Sequence, residues 1–204
     1  MKNIVIVCKG GFSKELIEYI ADIYPSPHAE YRLKDVRDLY PQDELRIAPD
    51  DVFVVAVGDP MVKRSLVERI RGAGGGFLTL IHPHAHVSPS ARVGEGSIVS
   101  PFAFVGPDSI LAEHVTLNLH AAVGHDARVG SYTVMSPYAF AAGRASIADG
   151  VFFGAHAMVA PGISVGRNTK LAAGAICLRD VPANSLAMGN PAGARELFRA
   201  VPGT

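Results

Sequence analysis

The sequence predicts two units: a small parallel α/β domain, then a solenoid of short strands. Two observations carry that reading. From Val87 to Cys177 an apolar residue recurs at every sixth position without an insertion, and before that stretch apolar runs alternate with helical patterns in the order β-α-β-β-α-β. The sixfold column reads Val87, Val93, Val99, Val105, Leu111, Leu117, Val123, Val129, Met135, Ala141, Ile147, Phe153, Val159, Val165, Leu171 and Cys177. Two residues before each member stands a second column, from Ala85 to Ala175, that is mostly small. A helix repeats near 3.6 residues and a strand near 2. Six fits a short strand plus a tight corner, with the apolar residue inward and the small one in the bend. A strict short period marks a solenoid, whose repeats bury their apolar faces only against one another.

The N-terminal elements follow in order. Ile4 to Val7 is a continuous β-rich run, as in a strand buried on both faces. Ser13 is placed as the N-cap of a helix with Leu16, Ile17 and Ile20 on one side, ended by Pro25 and Pro27. A second strand is expected near Tyr31 to Leu33 and a third from Asp51 to Val57. A helix from Met61 to about Arg71 is broken by Gly72 to Gly76, and Phe77 to Ile81 form the last strand. Ligands of such sheets bind beyond the carboxyl ends of the strands. Gly10, Gly11, Asp35, Gly58 and Asp59 stand at those ends. The glycines either admit a ligand to the backbone or serve only tight turns; they do not form a G-x-G-x-x-G dinucleotide motif.

Composition excludes several classes. The 204 residues are 49% hydrophobic with a formal net charge of zero, enough for a real core and without the basic surface of a nucleic-acid binder. No apolar run is long enough to span a membrane. Cys8 and Cys177 sit in apolar settings and read as reduced, buried thiols of a cytoplasmic protein.

The sixfold repeat resembles the hexapeptide motif of acyltransferases built on a left-handed parallel β-helix. The Ile81-His82-Pro83 junction after a small Rossmann-like domain is similar to the sugar O- and N-acyltransferases of the sialic acid O-acetyltransferase and nucleotide-linked amino-sugar N-acetyltransferase type. The resemblance covers essentially the whole chain. It implies an acceptor-binding domain over 1–81 and an acyltransferase β-helix with a C-terminal tail over 82–204. Each triangular coil would hold eighteen residues, so the column would split into three stacks, led by Val87, Val93 and Val99. It further implies acetyl-CoA as co-substrate, a small sugar acceptor, a homotrimer and no metal. N-acetylation of a nucleotide-linked amino-deoxy sugar is the expected reaction, with sialic-acid-type O-acetylation the alternative. The family's first loop reads Gly-x-x-Gly-His; here it is Cys8-Lys9-Gly10-Gly11-Phe12, with Phe12 in place of His, and the later Gly-Asn is Gly58-Asp59.

His125 is the candidate general base. Asp126 follows it, and a carboxylate on one imidazole nitrogen would fix the tautomer and strengthen the base. The family's pair is His followed by Glu or Asp after an Asn-containing turn, which Asn118 to His125 matches. An eighteen-residue coil sets Gly143 beside His125, and the family's oxyanion donor, a backbone N–H, maps to Gly143. The resemblance adds Ala142, Gly143, Ala160, Ala173 and Arg179 as CoA contacts. His120, five residues before His125, and His84 raise a rival reading as a γ-class carbonic-anhydrase-like zinc hydrase. A non-catalytic scaffold is the third reading.

Overall fold

The computed structural model describes residues 1–8, 10–26, 28–39 and 43–197. Lys9, Pro27 and residues 198–204, the end of the expected second unit, lie outside them. The N-terminal unit is a parallel sheet of β1 (Lys2–Val7), β2 (Tyr31–Arg37), β3 (Asp51–Val55) and β4 (Gly76–Phe77), in the order β2-β1-β3-β4. Helices α1 (Gly11–Ile23) and α2 (Pro60–Gly72) provide the crossovers. Alternation along β1 explains its unbroken hydrophobicity. Ile4 and Ile6 pack with Leu16 and Ile20 of α1, whereas Val5 and Val7 pack with Leu66, Val67 and Ile70 of α2.

Three local readings are corrected. Gly10, not Ser13, is the N-cap of α1; Ser13 is buried in the first turn and its Oγ donates to the Gly10 carbonyl at 2.7 Å. A short hydroxyl close to the backbone competes for local hydrogen bonds wherever it falls in the first turn. β2 continues to Arg37 and β3 stops at Val55. The strand expected from Phe77 to Ile81 is two. Gly76–Phe77 pairs with β3, but Leu80–Ile81 pairs with Ile98–Val99, so the chain passes from the sheet into the solenoid within that stretch.

The solenoid is a left-handed β-helix of two-residue parallel strands. Paired strands are one coil, eighteen residues, apart, as in Val123 with Ala141. The first face stacks Val87, Val105, Val123, Ala141, Val159 and Cys177; the second stacks Val93, Leu111, Val129, Ile147 and Val165. The third stacks Ile81, Val99, Leu117, Met135, Phe153 and Leu171, and the antiparallel pair Ser185–Met188 and Gly193–Glu196 extends it. Column residues fill one continuous core, with the small Ala103, Ala121, Ala127, Ala139 and Ala145 beneath the bends. Corner residues such as Phe102, His120, Asp126, Tyr138 and Arg144 take φ near +60°, which turns the chain sharply and throws their side chains outward.

The α/β unit docks on the third face and on the corner between the second and third faces. Leu80 and Ile98 join the core around α1, and the buried Lys63 of α2 reaches Thr116 Oγ1 at 2.5 Å. Arg71 Nη2 reaches Glu113 at 2.9 Å, His114 Nε2 at 3.2 Å and Glu95 at 3.3 Å.

Candidate active site

The site is built at the corner between the first and second faces. One column of that corner reads Pro89, Pro107, His125, Gly143, Pro161 and Arg179 at coil spacing. Proline has no N–H, so its recurrence means the ladder needs no donor at this position. Where His125 and Gly143 interrupt the prolines, a side chain and a backbone N–H become available for chemistry. No acceptor among the described residues takes the Gly143 N–H.

Coil stacking sets the imidazole over Gly143. A Cβ on Gly143 would stand 2.5 Å from His125 Nε2 and 2.8 Å from Cε1, so only glycine leaves the ring where it is. Asp126, in the left-handed region at φ 60°, turns back at the corner and accepts from His125 Nδ1 at 2.7 Å. Adjacent residues on a strand point apart, and it is that left-handed bend that lets these two side chains meet. A proton on Nδ1 leaves the Nε2 lone pair directed at the space beside Gly143. Both side chains are more than half exposed, at 56% and 54%, so the dyad opens to a ligand. Backbone bonds hold the pair in register: Arg144 N donates to His125 O at 2.8 Å and Gly124 N to Ala141 O at 2.8 Å.

Not every expected site residue converges. Ala142 and Ala160 flank Gly143 on the same corner; Arg179, further along it, lines a cleft with Leu178, Pro191 and Ala192. Asn118 and Ala173 stand at the other end of the first face, on the corner shared with the third, so within one chain they are separated from His125 by a strand. There Asn118 Oδ1 accepts from Leu119 N at 3.3 Å. The seven-residue offset from Asn118 to His125 carries the chain round one corner and across a face.

In the α/β unit, Gly10 and Gly11 open α1, and a Cβ on either, or on Gly58, would meet nothing within 4 Å. Those glycines border open space. Phe12 packs on the α1 side of the core, Asp35 pairs with Arg37 at 2.8 Å, and Asp59 caps α2 by accepting from Met61 N and Val62 N. The neighbouring cleft, about 650 Å³, is lined by Cys8 of the first loop and by residues not expected at a site, among them Asp38, Leu39, Met61, Val62 and Arg69. Burial, with the Asp38 carboxylate adding to it, pushes the Cys8 thiol up. A sequence signal existed in the exposed apolar pair Met61-Val62 at the start of a helix.

The rival zinc pair does not converge in one chain. The Phe102 ring stacks between His84 and His120, at 5.8 Å and 5.1 Å. A separate trio with metal-ligand spacing, Glu95, Glu113 and His114, already holds the Arg71 guanidinium.

Comparison with known proteins agrees with this fold. No protein-family model matches the chain. UDP-N-acetylbacillosamine N-acetyltransferase of Bacillus subtilis (strain 168) is 35% identical over 111 residues, 48% of this chain and 51% of that protein; the chain thus spans about half the length of its curated relative. PerB of Caulobacter crescentus, solved with CoA and GDP-perosamine, superposes with a TM-score of 0.84 at 29% identity, covering 96% of this chain and 98% of its own. The acetyltransferase domain of PglB from Neisseria gonorrhoeae FA1090 gives 0.82 at 26% identity, with 95% and 99% covered. The chain shares its architecture over nearly its whole length with these two solved structures, and its sequence over about half its length with a curated sugar N-acetyltransferase.

Proposed function

We propose that the protein transfers an acetyl group from acetyl-CoA to the amine of a nucleotide-linked amino-deoxy sugar. The observation that carries this reading is the His125 imidazole, oriented by Asp126, over the uncommitted Gly143 N–H. His125 Nε2 takes a proton from the sugar amine as its nitrogen attacks the thioester carbonyl carbon. The new C–N bond gives a tetrahedral oxyanion, which accepts from the Gly143 N–H. Collapse breaks the C–S bond, and the imidazolium returns the proton to the departing thiolate. A preorganised oxyanion donor lowers such a barrier by about 3 kcal/mol.

Ala142 and Ala160 would border the acyl-carrying arm of CoA, and Arg179 a phosphate. Residues 1–81, with Gly10, Gly11, Phe12, Asp35, Gly58 and Asp59 near its ligand-facing edge, would hold the acceptor. Relatives support the substrate class: PerB was solved with CoA and GDP-perosamine, and the PglB domain with acetyl coenzyme A. Two structures of the Caulobacter enzyme are of variants with one histidine replaced.

The working unit is a homotrimer in this reading. Outward residues of the first face, Phe104, Ala122, Phe140, Met158 and Ile176, make an apolar stripe that begins where Phe104 stacks on His86 at 5.3 Å. Beside it runs an exposed ring ladder of His84, Phe102, His120, Tyr138 and His156, at centroid spacings of 4.7 to 5.8 Å. Burying that stripe against a neighbour would carry the corner of Asn118 and Ala173 toward the next subunit's His125. No described helix is long and apolar enough to cross a membrane. The unpaired thiols Cys8 and Cys177 suit a cytoplasmic location.

The test is acetyl-CoA consumption against a panel of nucleotide-linked amino sugars and free sialic acid. Thiol release with an amino-sugar nucleotide, lost in His125→Ala, is the expected result. Release with sialic acid alone, or with no acceptor, overturns it.

A further inference from the structure

The reacting corner holds one cation that the reaction above does not use. Arg144 follows Gly143 directly, adopts the left-handed conformation at φ 60°, and is exposed. Its backbone is tied to the base, since Arg144 N donates to His125 O at 2.8 Å. Its column along the corner reads Ser90, Asp108, Asp126, Arg144, Gly162 and Asp180, with Arg144 the only cation. Two of the acids are engaged: Asp126 takes His125 Nδ1 at 2.7 Å, and Asp180 accepts from Ser164 N at 2.8 Å. Asp126 stands only one coil from Arg144, about 4.8 Å along the corner, yet no ion pair joins them. Among the described residues the guanidinium has no hydrogen-bond or ionic partner.

We propose that Arg144 binds the diphosphate of the acceptor and thereby selects nucleotide-linked sugars over free ones. A guanidinium presents a planar fork of donors matched to phosphate oxygens. In a nucleotide-linked amino sugar the diphosphate lies one sugar ring from the amine, so an amine at His125 Nε2 carries its phosphates past the residue next to Gly143. The phosphates of CoA are instead a whole pantetheine arm from its thioester. The inference rests on the acetyl-transfer reading for the identity of the acceptor.

The experiment compares the full-length wild type with R144Q and R144K. Equilibrium binding of UDP and of GDP is measured by calorimetry, and steady-state kinetics with an amino-sugar nucleotide and acetyl-CoA. R144Q should weaken nucleoside diphosphate binding and raise the acceptor KM about tenfold to a hundredfold, the scale of a lost charge-assisted hydrogen bond. R144K, a point charge without the fork, should fall between. The KM for acetyl-CoA should not move. Removing the diphosphate from the substrate should cost the wild type more than it costs R144Q. Equal affinity in wild type and R144Q, no binding of either nucleotide, or a rise confined to the acetyl-CoA KM overturns the proposal. Failure of the acetyl-transfer reading would show differently, as no turnover by the wild type while the calorimetric comparison still decides the role of Arg144.

Discussion

Lys63 Nζ donates to Thr116 Oγ1 at 2.5 Å across the junction of the α/β unit and the β-helix, and also approaches the His114 carbonyl at 3.3 Å. The side chain is buried, and no described carboxylate pairs with it. Burial lowers its pKa to about 7. The unfolded chain therefore binds more protons between that value and the ordinary lysine range, and stability rises as pH climbs through the window. Urea unfolding should show a positive slope with pH between about 7 and 9, flattened in Lys63→Met. Above that range the raised thiols of Cys8 and Cys177 act in the opposite sense.

His114 adds an acid limb at the same junction. Burial, then the nearby Arg71, lowers its pKa to about 4. The unfolded state takes up the extra proton below the ordinary histidine range, so stability falls as pH drops from about 6.5 toward 4. His114→Gln should reduce that acid slope, read by thermal melts over the interval. An unchanged slope would place the acid sensitivity elsewhere.

Replacing the proposed base should separate chemistry from fold. His125→Ala should lower kcat by about 10²- to 10⁴-fold, with the melting temperature little changed because the ring is exposed and packs into no core. Asp126→Asn should have a smaller effect, since it removes the orienting carboxylate and leaves the imidazole. Thiol release from acetyl-CoA is the measurement.

Two glycines of the corner should respond differently to alanine. At Gly143 the new Cβ meets the His125 ring, the mobile end of an exposed side chain, so the imidazole swings away: turnover falls and stability holds. At Gly124 the Cβ meets backbone, Gly143 N at 2.5 Å and Gly143 Cα at 2.9 Å. Coils must move apart there, so Gly124→Ala should lower both the melting temperature and turnover.

Assembly is testable on the first face. Phe140→Glu or Met158→Glu places a charge on the apolar stripe and should break the proposed trimer into monomers in analytical ultracentrifugation. Turnover should fall with it. A wild type that sediments as a monomer would refute the trimer.

How much was legible in the sequence depended on whether the backbone or the docking sets the contact. The sixfold period imposes register, so the three stacks and the meeting of His125 with Gly143 could be counted out in residues. Corner direction could not be counted: Asn118 looks close to His125 along the chain yet lies across a face. Burial of Lys63 was illegible because it arises where two separately patterned units meet, and an amphipathic α2 reads the same whether its lysine faces water or Thr116. The cleft at Cys8 and Asp38 was missed for a related reason, since its walls come from the segments after β1 and after β2 and from α2 together.

The proline column has a consequence for how such a protein can change. Its corner repeats one bend with interchangeable occupants, and chemistry enters wherever a proline is exchanged for something that can react. Duplicating or deleting one whole coil beyond Pro161 would leave His125, Asp126 and Gly143 untouched while sliding Arg179 by about 4.8 Å. The length of ligand that the groove can span is thereby quantised, adjustable in whole coils without redesign of the reacting end.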